Sequence, residues 1–266
     1  MMNLFCPICL ITLLALGCQP IPPEQSSQEA PFLHTVQQVE VDTHITEAVV
    51  IEQSEPDKLS QAKLDSIHLG YRQLISRIKA QKAVWLQQYH QAENQETQQA
   101  ILQEARSYLL QTIPDELLPY WYGTPWDFNG YSNHPREGII ACGYFVSTPL
   151  KHIGFPINRY RVAQQAAAVI VDTLCSESYS YNSSEKLFEA LLAKPDELYI
   201  VGLDYHVGFL LKRGEEIDFI HSSYYDPVAV VKEEARKSLP FLSSNLYVVG
   251  PLLTETGGLS QWFFAK

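Results

Sequence analysis

One cysteine and two histidines carry the chemistry that this chain could do. Cys142 lies in Ile140-Ala141-Cys142-Gly143-Tyr144-Phe145-Val146 and reads as the opening of a helix. His206 lies in Tyr205-His206-Val207-Gly208-Phe209, and His221 in Phe219-Ile220-His221-Ser222, both in strand-like apolar runs. A thiol is a weak nucleophile until a base takes its proton, and the base works best when a third polar group orients it. A helix-opening cysteine followed by two histidines on strands is an arrangement for thiolate catalysis. Zinc is the other chemistry these side chains suit, but no C-x-x-C or H-x-x-x-H spacing supports it, so no metal or cofactor is expected.

The bulk properties narrow the partners. The 266 residues allow one catalytic domain with length left over, and the formal net charge is −11. That balance argues against nucleic acid, which needs a basic face, and provides no polybasic patch for anionic lipid. Five cysteines are present. Cys6, Cys9 and Cys18 fall in or just after an apolar amino-terminal run, which leaves Cys142 and Cys175 for the body. A disulfide between those two is one reading; one working thiol and one bystander is the other.

The elements that must position the three residues follow from periodicity. Residues 1–17 read as a signal peptide: the apolar run is too short to span a bilayer as a helix, and Pro20, Pro22 and Pro23 follow it. Leu14-Ala15-Leu16-Gly17-Cys18 resembles a lipobox, which implies Cys18 as a lipid anchor and a place in a bacterial cell envelope, tethered to a membrane. Residues 18–56, rich in Pro, Gln, Glu and Ser, read as a flexible tether, with a partly alternating run at 36–51. Residues 57–113 read as a helical hairpin, a candidate surface for a protein partner, with apolar steps at Leu64, Ile67, Tyr71, Leu74, Ile78 and Trp85. In residues 114–266 helices are expected from Cys142, cut short or kinked at Pro149, over 158–174 and over 187–192. Strands are expected at 198–203, 205–211, 217–221, 228–231 and 246–252. Helices followed by a run of antiparallel strands is an α+β pattern.

Several further segments, in order, resemble the papain-like NlpC family of bacterial cell-wall peptidases. They are Gly123-Thr124-Pro125-Trp126-Asp127-Phe128-Asn129-Gly130, Ala141-Cys142-Gly143, Gly154-Phe155-Pro156-Ile157-Asn158-Arg159 with Gln164-Gln165, Pro195-Asp196-Glu197-Leu198, His206-Val207-Gly208 and Ile220-His221-Ser222. The resemblance implies a papain-like domain with helices packed on an antiparallel sheet. It also implies cysteine hydrolysis of an amide in a peptidoglycan stem peptide through an acyl-enzyme. Cys142 would be the nucleophile, His206 the base and then the acid, and His221 its orienting partner. The 15-position separation of the histidines lets neighbouring antiparallel strands hold both rings together. Asp127, Asp204, Asp218 and Asp226 are rival orienting groups. Trp126, Asp127, Tyr144 and Arg159 would shape the substrate pocket. Ala141, Trp126 and Asn129 replace an acidic residue, a tyrosine and a glycine of the family pattern. The alternatives are a catalytically idle scaffold lipoprotein, or a thiol-dependent amidase or acyltransferase on another substrate.

Overall fold

The structure, a computed structural model, describes residues 59–265. The signal segment, Cys18, the tether and the run at 36–51 lie outside the described residues.

Two helices come first, α1 (Gln61–Gln91) and α2 (Gln95–Thr112), joined by a three-residue turn. Asn94 caps α2 by accepting from the Thr97 amide at 2.8 Å. The two helices pack as a hairpin, with the Trp85 and Tyr108 rings 5.2 Å apart across it. Its apolar stripe (Tyr71, Leu74, Ile78, Trp85, Ile101, Ala105, Leu109) packs into the same core as Ile140, Phe145, Phe209 and Trp262. The boundary expected near residue 113 is therefore not a break in packing, and the described residues lie within one compact unit.

A π turn (Ile113–Leu117) and a 3-10 turn (Leu118–Trp121) lead into an aromatic loop and then α3 (Cys142–His152). α3 runs on to His152 through Pro149, rather than stopping there. The single helix expected over 158–174 is two, α4 (Arg159–Ala163) and α5 (Ala167–Leu174). The break carries Gln164, Gln165 and Ala166 around the rim of a cleft. β1 (Tyr179–Tyr181), which lacks an apolar run, and α6 (Ser184–Leu192) follow.

The remaining strands match the expected segments to within a few residues: β2 (Glu197–Gly202), β3 (Val207–Arg213), β4 (Glu216–Ser222), β5 (Val230–Glu234) and β6 (Tyr247–Pro251). α7 (Leu239–Leu242) lies between the last two, and α8 (Gly258–Phe264) closes the described chain. The sheet is six-stranded and antiparallel, in the order β1-β6-β2-β3-β4-β5. Alternating side chains feed two cores. Leu198, Ile200, Phe209, Leu211 and Ile220 face the core containing α1, α2, α3, α5 and α8, whereas Tyr199, Val201, Leu210 and Phe219 pack with α6 and α7. The architecture is α+β, with helices against both faces of the sheet.

Candidate active site

The cysteine is placed by its backbone. Ala141 precedes α3 with extended backbone angles and no capping side chain, so the first amides of the helix have no side-chain partner there. The Ala141 amide donates to the Gly130 carbonyl at 2.9 Å, and the Ser222 hydroxyl to the Ile140 carbonyl at 2.7 Å. These bonds fasten the start of α3 to the aromatic loop and to the end of β4. Gly143 must lack a side chain: a Cβ there would lie 2.4 Å from the Ala163 carbonyl oxygen of α4.

Cys142 is half-buried at the cleft. Burial pushes its thiol pKa up, and the backbone N–H groups of Val207, Gly143 and Cys142 itself pull the other way without reversing it. The helix terminus therefore does not by itself make a resting thiolate. The Val207 contact sets the sulfur beside the residue that follows His206. No direct hydrogen bond joins the Cys142 sulfur and the His206 ring.

The two histidines meet. His206 Nε2 and His221 Nδ1 are 2.8 Å apart, with both rings buried. Phe209 pairs with Ile220 across β3 and β4, so the histidines are diagonal neighbours on one face with Gly208 between them. A Cβ on Gly208 would lie 2.5 Å from the Phe219 ring and 2.9 Å from His221 Cβ, so only glycine leaves the diagonal open. The Phe219 ring stacks on His221 with centroids 4.0 Å apart. Desolvation, then the neighbouring His221, holds the His206 pKa well below the ordinary imidazole range. Desolvation also lowers that of His221, against the pull of Glu233. Thiol and imidazole are thus both uncharged at neutral pH.

A fourth group completes the line. Glu233 Oε1 is 3.0 Å from His221 Nε2. Sequence reading did not single out Glu233. Three of the four carboxylates it did consider are engaged elsewhere. Asp218 pairs with Lys232 at 2.8 Å, Asp204 accepts from the Asn245 amide at 2.9 Å, and Asp127 accepts from the Asn129 amide at 2.8 Å. With both its nitrogens engaged, His221 has none free to offer a metal alongside Cys142.

Cys142 and His206 line one cleft of about 580 Å³. Its walls include Trp126, Phe128, Tyr144, Tyr205 and Tyr224, interspersed with alanines, and among the described residues no lysine or arginine. Trp126 is delivered by the aromatic loop, whose Trp126 amide donates to the Val228 carbonyl and whose Thr124 carbonyl accepts from the Val230 amide at the sheet edge. Of the pocket residues expected from sequence, Trp126 and Tyr144 line the cleft, whereas Asp127 and Arg159 do not. Arg159 is buried behind the wall, where its guanidinium donates to the Tyr131 and Ser132 carbonyls and to the Thr148 hydroxyl. It also lies against the Tyr144 and Tyr160 rings. Arginine in a five-residue helix turned inward braces the loop instead of meeting a ligand.

Cys175 is free and buried, its thiol donating to the Gly250 carbonyl at 3.2 Å, and burial pushes its pKa far up. The disulfide alternative is not realised.

No protein-family model, curated protein or solved structure matches this chain.

Proposed function

We propose that this protein is a cysteine hydrolase that cleaves an amide bond in a cell-wall peptide of the peptidoglycan-stem type. The observation that carries the reading is that Cys142, at the start of α3, shares a cleft with His206, whose far nitrogen is held by His221 at 2.8 Å. His206 Nδ1 is then the nitrogen left to serve the thiol. Substrate entering the cleft brings the thiol proton to that nitrogen, the thiolate attacks the carbonyl carbon, and the Cys142 and Gly143 amides stabilise the oxyanion. The imidazolium returns the proton to the departing amine, and water hydrolyses the thioester. The choice of wall peptide and the papain-like assignment rest on the resemblance to the NlpC family, and the lipid tether through Cys18 that would hold the enzyme in the bacterial envelope rests on the resemblance of its preceding residues to a lipobox.

A second reading is favoured by the cleft itself. Five aromatic side chains and, among the described residues, no lysine or arginine suit an uncharged acyl donor better than a peptide carrying free carboxylates, which supports a thiol-dependent amidase or acyltransferase. Incubation with purified peptidoglycan, followed by mass spectrometry for newly freed amino groups, separates the two. Product that disappears in Cys142→Ala supports the wall hydrolase. No product from several wall chemistries, alongside Cys142-dependent turnover of uncharged acyl amides, moves the assignment to the second reading.

A further inference from the structure

We propose that Glu233 is the positioning residue that sets the direction of the histidine relay, so that His206 presents a lone pair, and not an N–H, to Cys142. The inference rests on the hydrolase reading for its purpose but on geometry for its content. A neutral imidazole carries one donor and one acceptor nitrogen, and two imidazoles joined by one hydrogen bond can run in either direction. In one direction His206 donates from Nε2 and keeps an unprotonated Nδ1, which can take a proton from a thiol. In the other, His221 donates from Nδ1, and His206 is left with Nδ1–H facing a thiol that is itself a donor. A pair of histidines alone does not choose between them.

Glu233 makes the choice. An ionised carboxylate only accepts, so the nitrogen facing it, His221 Nε2 at 3.0 Å, must carry the proton. His221 Nδ1 is then the acceptor, and the 2.8 Å bond to it must be donated by His206 Nε2. Nδ1 of His206 is left as the base. Glu233 is suited to stay ionised. Its side chain is 34% exposed, and its pKa is lowered by the His221 hydrogen bond first and by the Ser238 hydroxyl as well. Lys232 does not compete for it, being paired with Asp218.

The strand register supplies the reach. Phe219 pairs with Glu233 and His221 with Val231, so Glu233 is diagonal to His221 across β4 and β5. His206 is diagonal to His221 across β3 and β4 on the same face. Two consecutive diagonals carry one line of hydrogen bonds across three strands. When Cys142 gives up its proton, His206 becomes the imidazolium and its Nε2–H stays on His221. No proton has to travel to Glu233, which acts only through His221.

The test reads tautomers directly. Nitrogen-15 NMR of the full protein, correlating ring nitrogens with ring protons at neutral pH, is expected to show both His206 and His221 as Nε2–H. His206 found as Nδ1–H overturns the proposal, and this measurement needs no variant. In Glu233→Met, which removes the acceptor, His206 is expected to populate Nδ1–H. Cys142 alkylation by iodoacetamide, followed by peptide mass mapping to separate it from the other cysteines, should then slow by about tenfold or more. Glu233→Gln keeps an acceptor oxygen and should fall between. Unchanged tautomers and an unchanged alkylation rate in Glu233→Met overturn the proposal. The hydrolase reading fails separately, if native protein with the expected tautomers releases nothing from any wall preparation.

Discussion

Acid should loosen the joint between hairpin and body through one residue, His152 at the end of α3. Trp121 Nε1–H can only donate, and it does so to the Tyr71 hydroxyl oxygen at 3.1 Å. The Tyr71 O–H then donates to His152 Nδ1 at 3.0 Å, and His152 Nε2–H to the Asn133 side-chain oxygen at 3.2 Å. Every group is satisfied with a neutral ring, and protonating Nδ1 sets a donor against the tyrosine hydroxyl. Burial, with Arg159 next, brings the His152 pKa from its ordinary 6.5 down to about 4. A group whose pKa is depressed on folding contributes stability that is fully present above its unfolded value and is lost as pH falls toward its folded one. The window here is about pH 6.5 to 4, with a slope of at most about 1.4 kcal/mol per unit and a total of about 3 kcal/mol. The His206 and His221 pKa values are lowered as well, so the wild-type curve alone does not isolate His152. His152→Gln keeps an acceptor for Tyr71 and does not titrate. Urea denaturation across the window should show wild type losing about 3 kcal/mol more than His152→Gln between its two ends. A wild-type minus variant difference that stays flat to within about 0.5 kcal/mol refutes the assignment of the neutral, doubly bonded ring.

Other consequences can be checked with less machinery. Because burial raises the Cys142 thiol pKa and lowers that of His206, alkylation of Cys142 should climb steadily with pH above neutrality. A flat plateau across mildly acidic pH would instead reveal a preformed thiolate–imidazolium pair. Gly143→Ala puts a Cβ 2.4 Å from the Ala163 carbonyl, and thermal melts should show a loss of about 1–3 kcal/mol. A gain of about 1 kcal/mol, the ordinary helix preference for alanine over glycine, would contradict the close approach of α3 and α4. Arg159→Met leaves two carbonyls and a hydroxyl without their donor and should cost about 2–4 kcal/mol in chemical denaturation while leaving Trp126 on the cleft wall.

What the sequence disclosed divides by range. The hairpin helices and β2 to β6 were legible because apolar spacing is a local signal, and the burial they impose is what the pattern records. Cys142, His206 and His221 were legible as residue types in order. The break at residues 164–166 was not. An alanine-rich run reads as one helix, and what interrupts it is tertiary: Ala163 meets Gly143, and Ala167 meets Gly202, where a Cβ would lie 2.8 Å from its backbone. β1 was hidden because Tyr179-Ser180-Tyr181 is only three residues long and largely exposed, and exists through its pairing with β6.

Glu233 was illegible for the same reason in sharper form. A charged residue in Val230-Val231-Lys232-Glu233-Glu234 looks like the solvated side of an edge strand, and Lys232 and Glu234 are indeed exposed, paired with Asp218 and Lys237. Only the register, which pairs Phe219 with Glu233, puts it on the face that holds His221. A slip of one residue would present Lys232 or Glu234 instead. Lysine would offer a donor to His221 Nε2, take up the acceptor form of that nitrogen and reverse the direction of the hydrogen bond to His206. The chemistry at the thiol therefore depends on a pairing two strands away.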